Sequence, residues 1–194
     1  IHRGDRLDYL VAMSTKSING KKLTRKLMDK EECRQGDQIN TLIRTVNGRT
    51  IDMQHNVMTP RPYSRMYQLV GTEGYANKYP VQGYTFKLDQ IKSVATGENG
   101  MPDIEALDHH TFAPAEVAAE MTKLYRHPVQ LQLVDGMPLL EYSLKVGGHG
   151  GMDYILDYRL VYCLRHGLPL DMDVYDLAEW SCVVALSGIS LDNG

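Results

Sequence analysis

The sequence predicts an α+β fold, in which an open, mainly antiparallel sheet has helices packed on one face. Two observations carry this prediction: strand-like runs fill the first half of the chain, and helix-like apolar periodicity follows Gly97. Strands that precede helices as a block, rather than alternating with them, are typical of α+β proteins. A length of 194 residues suffices for one sizeable domain.

The first half of the chain predicts an antiparallel meander of five or six strands. Residues 6–15 (RLDYLVAMST) predict the first strand, and the polar residues 19–38 predict a short helix or an irregular excursion. Asn47-Gly48 lies between the strand-like runs TLIRTV and RTIDMQHN, which is the strongest short signal for a β-hairpin. Further strands are predicted at residues 65–71, 75–82 and 84–89.

The second half begins with loop chemistry at residues 97–103 (GENGMPD). Residues 114–127 predict a helix, because good helix formers follow Pro114, a favoured first-turn residue. Residues 127–146 have no decided pattern. More than one element can therefore be expected between this helix and the next.

Two further helices are predicted near the C-terminal end of the sequence. From Met152 onward the apolar positions fall on one side of a helix, which Gly167 should end. Residues 168–191 predict a final long helix with acidic side chains in its first turn, where the helix dipole favours them. These helices should cover one face of the sheet and leave the other face for a partner.

Composition and charge exclude some partners. Hydrophobic residues make up 43% and charged residues 23% of the chain, which is ordinary for a globular protein. A net charge of −3 argues against a nucleic-acid surface, which needs clustered lysine and arginine. No stretch reads as the roughly 20 apolar residues that a membrane helix needs, so no membrane span is predicted.

Metal binding and common hydrolase chemistry are not predicted either. Cys33, Cys163 and Cys182 have no metal-ligand spacing, and the last two lie in apolar helical patterns. His109 and His110 are adjacent, so on an extended chain they point to opposite sides. The sequence contains neither a Gly-x-Ser-x-Gly elbow nor an HExxH motif, and spacing alone identifies no catalytic carboxylate pair.

A glycine-rich turn surrounds His149 in the segment VGGHGGMDYIL, residues 146–156. The segment lacks the Lys-Ser/Thr of a P-loop and the context of a dinucleotide fingerprint, so it predicts a turn that leads into a helix N-terminus. Asp153 lies where it could cap or charge the first turn. Two interpretations stay open: His149 and Asp153 only cap the helix, or His149 meets a ligand beside the backbone.

A second candidate segment is TPRPYSR, residues 59–65. Its two prolines fix φ, so the side chains of Arg61, Tyr63 and Arg65 project from a stiff segment. A phenol between two guanidinium groups can hydrogen-bond a sugar hydroxyl while its ring stacks on a pyranose. From the residues alone, a solvated surface loop is the better interpretation. His55, at the end of the preceding strand, either serves the same site or points outward.

These segments, together with RGDRLDYLVAMST, GTEG and CLRHGLPLDMDVYDLAEWS, resemble the C-terminal domain of glycoside hydrolase family 109. The resemblance runs through nearly the whole chain in the same order. Its most specific part is GGHGGMD with the later GLPLD-x-D-V-Y-D. The family comprises NAD-dependent α-N-acetylgalactosaminidases built on the glucose–fructose oxidoreductase and inositol dehydrogenase fold.

The resemblance implies an unusual glycosidase mechanism. NAD oxidises the sugar at C3, the C2 proton becomes acidic, elimination expels the aglycone, water adds, and the hydride returns. The resemblance also implies that Tyr63 lies against the substrate and that His149 belongs to a loop facing the active-site cleft. Further residues expected to line the site are Arg61, Arg65, His55 and Asp153.

The resemblance further implies that residues 1–194 form only the substrate-side and assembly domain. The dinucleotide-binding domain, with the NAD contacts and the catalytic base, is expected to precede Ile1, so the chain alone should be inactive. The expected partners are that domain, a glycan bearing α-N-acetylgalactosamine, and a second copy bound through the open sheet face. The parent protein is expected to be periplasmic or secreted.

Two other functions remain as alternatives. One is the C-terminal domain of an NAD(P)-dependent sugar dehydrogenase, which breaks no glycosidic bond. The other is a non-catalytic domain that binds carbohydrate or only forms dimers. The combination of TPRPYSR and HGGMD favours the glycosidase.

Overall fold

The structure is a computed structural model that describes residues 4–86, 111–124 and 126–193. The chain divides into two units, Ile1–Pro62 with Pro169–Gly194, and Tyr63–Leu168. Among the described residues the strands form three small antiparallel sheets, and five α-helices accompany them. The predicted α+β class, open and mainly antiparallel, is confirmed.

The elements are numbered in chain order. The strands are β1 (Leu7–Ser14), β2 (Ile39–Thr45), β3 (Thr50–His55), β4 (Gln68–Val70), β5 (Gly74–Asn77), β6 (Gly83–Phe86), β7 (Leu133–Val134) and β8 (Met137–Pro138). The α-helices are α1 (Asn19–Met28), α2 (Ala115–Leu124), α3 (Leu139–Val146), α4 (Met152–His166) and α5 (Val174–Asn193). Short 3₁₀ turns occupy Pro128–Leu131 and His149–Gly151.

In the first unit, β1, β2 and β3 pair antiparallel in that order. The predicted hairpin at Asn47-Gly48 is confirmed: Gly48 has φ +81°, and its amide donates to the Thr45 carbonyl at 2.9 Å. A positive φ at this position explains why the turn requires glycine.

Helix α5 covers one face of this sheet. Residues buried on the sheet side are Ala12, Thr41, Ile43 and Thr45, and those buried on the helix are Asp176, Val183 and Ser187. The Thr41 and Ser187 hydroxyls lie 3.1 Å apart in a buried hydrogen bond. The opposite face of the sheet stays exposed, which agrees with the predicted one-sided covering.

Helix α5 also protects the outer edge of β1. The Ala12 amide donates to Ser190 Oγ at 2.9 Å, and the Leu7 amide donates to Glu179 Oε1 at 2.5 Å. Unpaired strand amides invite pairing with another chain, so these side chains close that edge. By length and mean hydropathy (1.3) alone α5 could cross a membrane, although no membrane span is predicted from the sequence. Its hydrogen bonds to β1 identify it as a helix that packs on the sheet.

In the second unit, β5 lies between β4 and β6. The undecided region 127–146 forms a 3₁₀ turn, the β7–β8 hairpin around Asp135-Gly136, and α3. Helix α4 ends at Gly167, which has φ +62°, as the sequence predicts. The Gly167 amide donates a hydrogen bond to the carbonyl of Cys163, in the last turn of the helix.

Two details of the sequence prediction were wrong. The predicted single meander is two separate three-stranded sheets, because Pro60 and Pro62 lie between β3 and β4 and cannot donate ladder hydrogen bonds. The final helix begins at Val174 instead of residue 168, because Asp173 Oδ1 caps it by accepting the amides of Tyr175 (2.8 Å) and Asp176 (3.1 Å). The predicted loop 97–103, the end of the 84–89 strand, and His109-His110 lie outside the described residues.

Asp37 caps α1 from a distant loop. Its carboxylate accepts the amides of Ile18 (3.2 Å), Asn19 (2.9 Å) and Gly20 (2.9 Å). The hydrogen bonds from Asn19 and Gly20 lower the pKa of Asp37 below its ordinary value of 3.8, and the opposing effect of burial is smaller. The charged form of Asp37 therefore stabilises the folded state.

Replacing Asp37 with asparagine is expected to lower the melting temperature at neutral pH, because an amide offers one acceptor oxygen where the carboxylate offers two. The pKa is lower in the folded than in the unfolded state, so this stabilisation is complete above about pH 3.8 and fades as the pH falls through the folded value. The melting-temperature difference between wild type and Asp37→Asn should therefore shrink in acid. Asp29→Asn, at the other end of α1, is the control, and an equal effect there would contradict the capping role.

Candidate functional site

The first candidate site centres on Tyr63 and Arg65 in the second unit. The Tyr63 side chain is 71% exposed, and Arg65 Nε donates to its phenol oxygen at 2.5 Å. The guanidinium carbon lies 5.9 Å from the centroid of the Tyr63 ring. The hydrogen bond to Tyr63 contributes most to raising the pKa of Arg65, and a hydrogen bond to Tyr67 raises it further. The structure thus brings these two predicted site residues together in a charged hydrogen bond.

The β4–β5 ladder brings two further side chains to this place. The Lys78 amide donates to the Tyr67 carbonyl at 2.9 Å, directly beside the pair Gln68 and Asn77. The Tyr79 ring then meets the Tyr63 ring edge to face, with centroids 6.0 Å apart. The sequence analysis missed Lys78 and Tyr79. The signal that could have found them is the hairpin register, which pairs Lys78 with Tyr67, two residues after the end of TPRPYSR.

The second candidate site is the glycine-rich turn around His149. Five successive residues have positive φ: Gly147 (+90°), Gly148 (+77°), His149 (+47°), Gly150 (+70°) and Gly151 (+86°). Glycine adopts such values freely, whereas other residues do so only at some cost in energy. The positive φ values of this turn therefore favour glycine at four of its five positions. Histidine is the one residue of the five that carries a side chain.

The His149 imidazole is held in one orientation by Asp153. Its Nδ1 lies 2.9 Å from Asp153 Oδ2, and the two side chains are 68% and 50% exposed. A carboxylate accepts and does not donate, so Nδ1 carries the hydrogen and Nε2 of the neutral ring is left as an acceptor. No side chain caps α4, whose N-cap is Gly151, and Asp153 lies in the first turn, so of its two predicted roles Asp153 charges the turn and does not cap it. A ligand at His149 stays a prediction.

The remaining predicted site residues, His55 and Arg61, belong to the first unit. His55 ends β3 and is exposed, lining a largely apolar groove of about 640 Å³ with Ile39, Met53 and the α5 residue Ile189. Arg61 is exposed and has no hydrogen bond or ion pair within the described part of the chain. Within the second unit, no described contact joins the Tyr63–Arg65 pair to the His149–Asp153 pair.

The described residues offer few groups that could hold a metal or a cofactor. They contain no group of three or more His, Cys, Asp or Glu side chains suited to a metal ion. The glycine-rich turn does not fit a dinucleotide, because the Asp153 carboxylate lies in the first turn of α4, where it would repel a pyrophosphate. Cys33, Cys163 and Cys182 are free thiols; the apolar patterns around the last two predict buried side chains, which holds for Cys163, whereas Cys182 is half-buried.

The described candidate groups are thus an exposed phenol held by a guanidinium and an imidazole held by a carboxylate, on an α+β scaffold. The family model "Glycosyl hydrolase 109, C-terminal domain" matches residues 1–194. The chain therefore belongs to glycosyl hydrolase family 109, as its C-terminal domain.

Curated relatives agree with this membership. A glycosyl hydrolase family 109 protein of Bacteroides fragilis is 54% identical over all of this chain and 40% of its own length. Similar proteins of Phocaeicola vulgatus and Porphyromonas gingivalis are 52% and 51% identical, again over the whole chain, which covers 39% and 40% of their lengths. The chain thus spans about 40% of the relatives' length.

Proposed function

We propose that this chain is the substrate-side domain of an NAD-dependent glycosidase that removes terminal α-linked N-acetylgalactosamine by oxidation, elimination, addition and reduction. The observation that carries the proposal is the exposed Tyr63 phenol, which a hydrogen bond from Arg65 holds in a fixed position in a family 109 domain. A fixed phenol can hydrogen-bond a sugar hydroxyl, and its ring offers an apolar face to the pyranose.

In this function the chain would bind and orient the sugar. Tyr63 would hold one hydroxyl of the sugar, and His149 would accept a hydrogen bond from another through Nε2. NAD, bound elsewhere in the parent protein, would take up and return a hydride. Because the glycine-rich turn does not fit the dinucleotide, we expect the isolated chain to be inactive and to bind NAD weakly. We also propose that the parent protein is exported, which cell fractionation would test.

The decisive experiment measures release of p-nitrophenol from p-nitrophenyl α-N-acetylgalactosaminide by the full-length protein. The protein is stripped of nucleotide and then resupplied with NAD. Release that depends on NAD supports the proposal. If the folded, NAD-bound protein releases no p-nitrophenol and instead reduces NAD in the presence of a free sugar, the parent protein is a sugar dehydrogenase.

Replacing His149 with asparagine is expected to lower kcat/KM at least tenfold and to leave the melting temperature within about 2 °C of wild type. Asparagine tolerates the positive φ at this position, so the change removes the imidazole without straining the turn. His166→Asn is the control, because His166 is an exposed histidine at the other end of α4. A large loss of stability with unchanged kinetics would show that His149 serves only the turn.

We propose further that two copies associate through the open face of the β1–β2–β3 sheet. The register places Val11 beside Leu42 and Leu42 beside Asp52, and an adjacent row joins Tyr9 to Arg44. The face is apolar at its centre and carries charges of both signs, so a second copy related by twofold symmetry can match it. No membrane or nucleic-acid surface is needed to cover this face.

Leu42→Glu is expected to turn a dimer of the full-length protein into a monomer, because it buries an unpaired charge at the centre of the interface. Leu42 is 59% exposed, and Leu27 on α1, at 69%, is the matched control. Sedimentation velocity of wild type, Leu42→Glu and Leu27→Glu makes the comparison. A wild-type monomer, or a Leu42→Glu dimer, would reject this interface.

A further inference from the structure

We propose that Tyr63, Arg65, Lys78 and Tyr79 form a cationic subsite for a sugar residue that carries an anionic substituent, either a sulfate ester or a carboxylate. The inference rests on the proposed function, because it assigns the subsite to the glycan. It adds a preference for charged glycans, which the proposed function does not require.

The backbone brings the four side chains of the cationic subsite to one end of the β4–β5–β6 sheet. The bond from the Lys78 amide to the Tyr67 carbonyl extends the β4–β5 ladder by one pair beyond Gln68 and Asn77. Tyr67 and Lys78 are therefore paired, with Arg65 two residues before Tyr67 and Tyr79 directly after Lys78. The contact between the Tyr63 and Tyr79 rings closes the arrangement.

The cationic subsite carries two positive charges without a described counter-ion. Neither Arg65 nor Lys78 forms an ion pair with any residue in the ranges that the structure describes. Each cation instead lies near an aromatic ring: Arg65 Cζ is 5.9 Å from the Tyr63 centroid, and Lys78 Nζ is 5.8 Å from the Tyr79 centroid. This local charge is opposite in sign to the net charge of −3 of the whole chain. No described carboxylate neutralises either charge, so each is available to an anion.

The rings and the charges together indicate the class of ligand. Phenol faces and hydroxyls would suffice for a neutral sugar, so the two added cations favour a sugar that is itself charged. Arg65 has five N–H donors, and its bonds to Tyr63 and Tyr67 leave others for sulfate or carboxylate oxygens. Lys78 adds a flexible point charge beside them.

The test is calorimetric titration of the full-length protein with three methyl α-glycosides: N-acetylgalactosamine, its 6-sulfate, and the corresponding uronic acid. At low salt we expect at least one anionic probe to bind about tenfold more tightly than the neutral one, and the gain to fall as salt rises. Arg65→Gln and Lys78→Gln should each remove most of the gain. Arg165→Gln is the matched control, because Arg165 is an exposed arginine of the same unit, near the end of α4, and has no place in the proposed site.

Each other outcome contradicts the inference. Equal binding of all three probes would overturn it, and NAD-dependent p-nitrophenol release would then still support the proposed function. A gain that survives in the Arg65→Gln, Lys78→Gln double variant would place the anion elsewhere. Weaker NAD binding in the variants, with the sugar preference intact, would assign the cations to the dinucleotide phosphates. If Arg65→Gln fails to fold, Lys78→Gln alone decides, because the Lys78 side chain has no hydrogen bond among the described residues.

Discussion

Gly151→Ala is expected to lower the free energy of unfolding by about 2–5 kcal/mol, because an added Cβ strains the left-handed backbone and overpacks the core. Gly151 is buried and has φ +86°. A Cβ added there would lie 2.8 Å from the backbone carbonyl carbon of Ser143 and 2.9 Å from its Cβ. Ser143 is fully buried in α3, so the backbone there has little room to yield.

Gly150→Ala separates the two causes of this effect. Gly150 has φ +70°, but a Cβ added there meets no atom within 4 Å. Gly150→Ala should therefore lower the free energy of unfolding only by the cost of the left-handed backbone, about 1–2 kcal/mol. The measurement is the urea midpoint of the transition that unfolds this domain, compared in the same full-length background. Equal losses in the two variants would show that close packing against α3 does not matter.

Tyr63→Phe is expected to lower kcat/KM for the α-N-acetylgalactosaminide about 100-fold, because the substitution removes the one hydroxyl that is held by Arg65. The side chain is 71% exposed, so the stability should change by less than about 0.5 kcal/mol. Steady-state kinetics and a melting curve of the full-length variant provide the two readouts.

Tyr75→Phe is the matched control for this prediction. The Tyr75 phenol also accepts a side-chain N–H bond, from Gln68 Nε2 at 2.7 Å, but Tyr75 has no place in the proposed site. Its activity should equal that of wild type. Wild-type activity in Tyr63→Phe would remove the Tyr63 hydroxyl from the site, whereas equal losses in both variants would indicate a general disturbance of the sheet.

Local signals predicted much of the secondary structure. The Asn47-Gly48 hairpin, the stop at Gly167 and the helix after Pro114 all depend on residues whose backbone preferences act over a few positions. The start of α5 was placed too early, because the residues before it are compatible with a helix and only the Asp173 cap bonds fix the boundary. Cap geometry depends on side-chain orientation, which periodicity does not encode.

The sequence indicated which residues belong to the candidate site, but it did not indicate which of them contact one another. The prolines and glycines marked TPRPYSR and GGHGG, and the structure pairs Tyr63 with Arg65 and His149 with Asp153. Tyr79 contacts Tyr63, and Lys78 lies near the Tyr79 ring, through a strand pairing that joins Tyr67 to Lys78, eleven residues further along the chain. Their role could not be read from either segment alone.

The sequence by itself determined where the backbone must turn, which residues display side chains at those turns, and the family to which the chain belongs. These properties follow from local φ preferences and from motifs that each occupy a short segment. Only the tertiary structure decided that the meander divides into two sheets, that α5 closes the edge of β1, and that Arg65 lies near the Tyr63 ring and Lys78 near the Tyr79 ring. Those properties depend on strand register and packing between distant segments, which no local preference specifies.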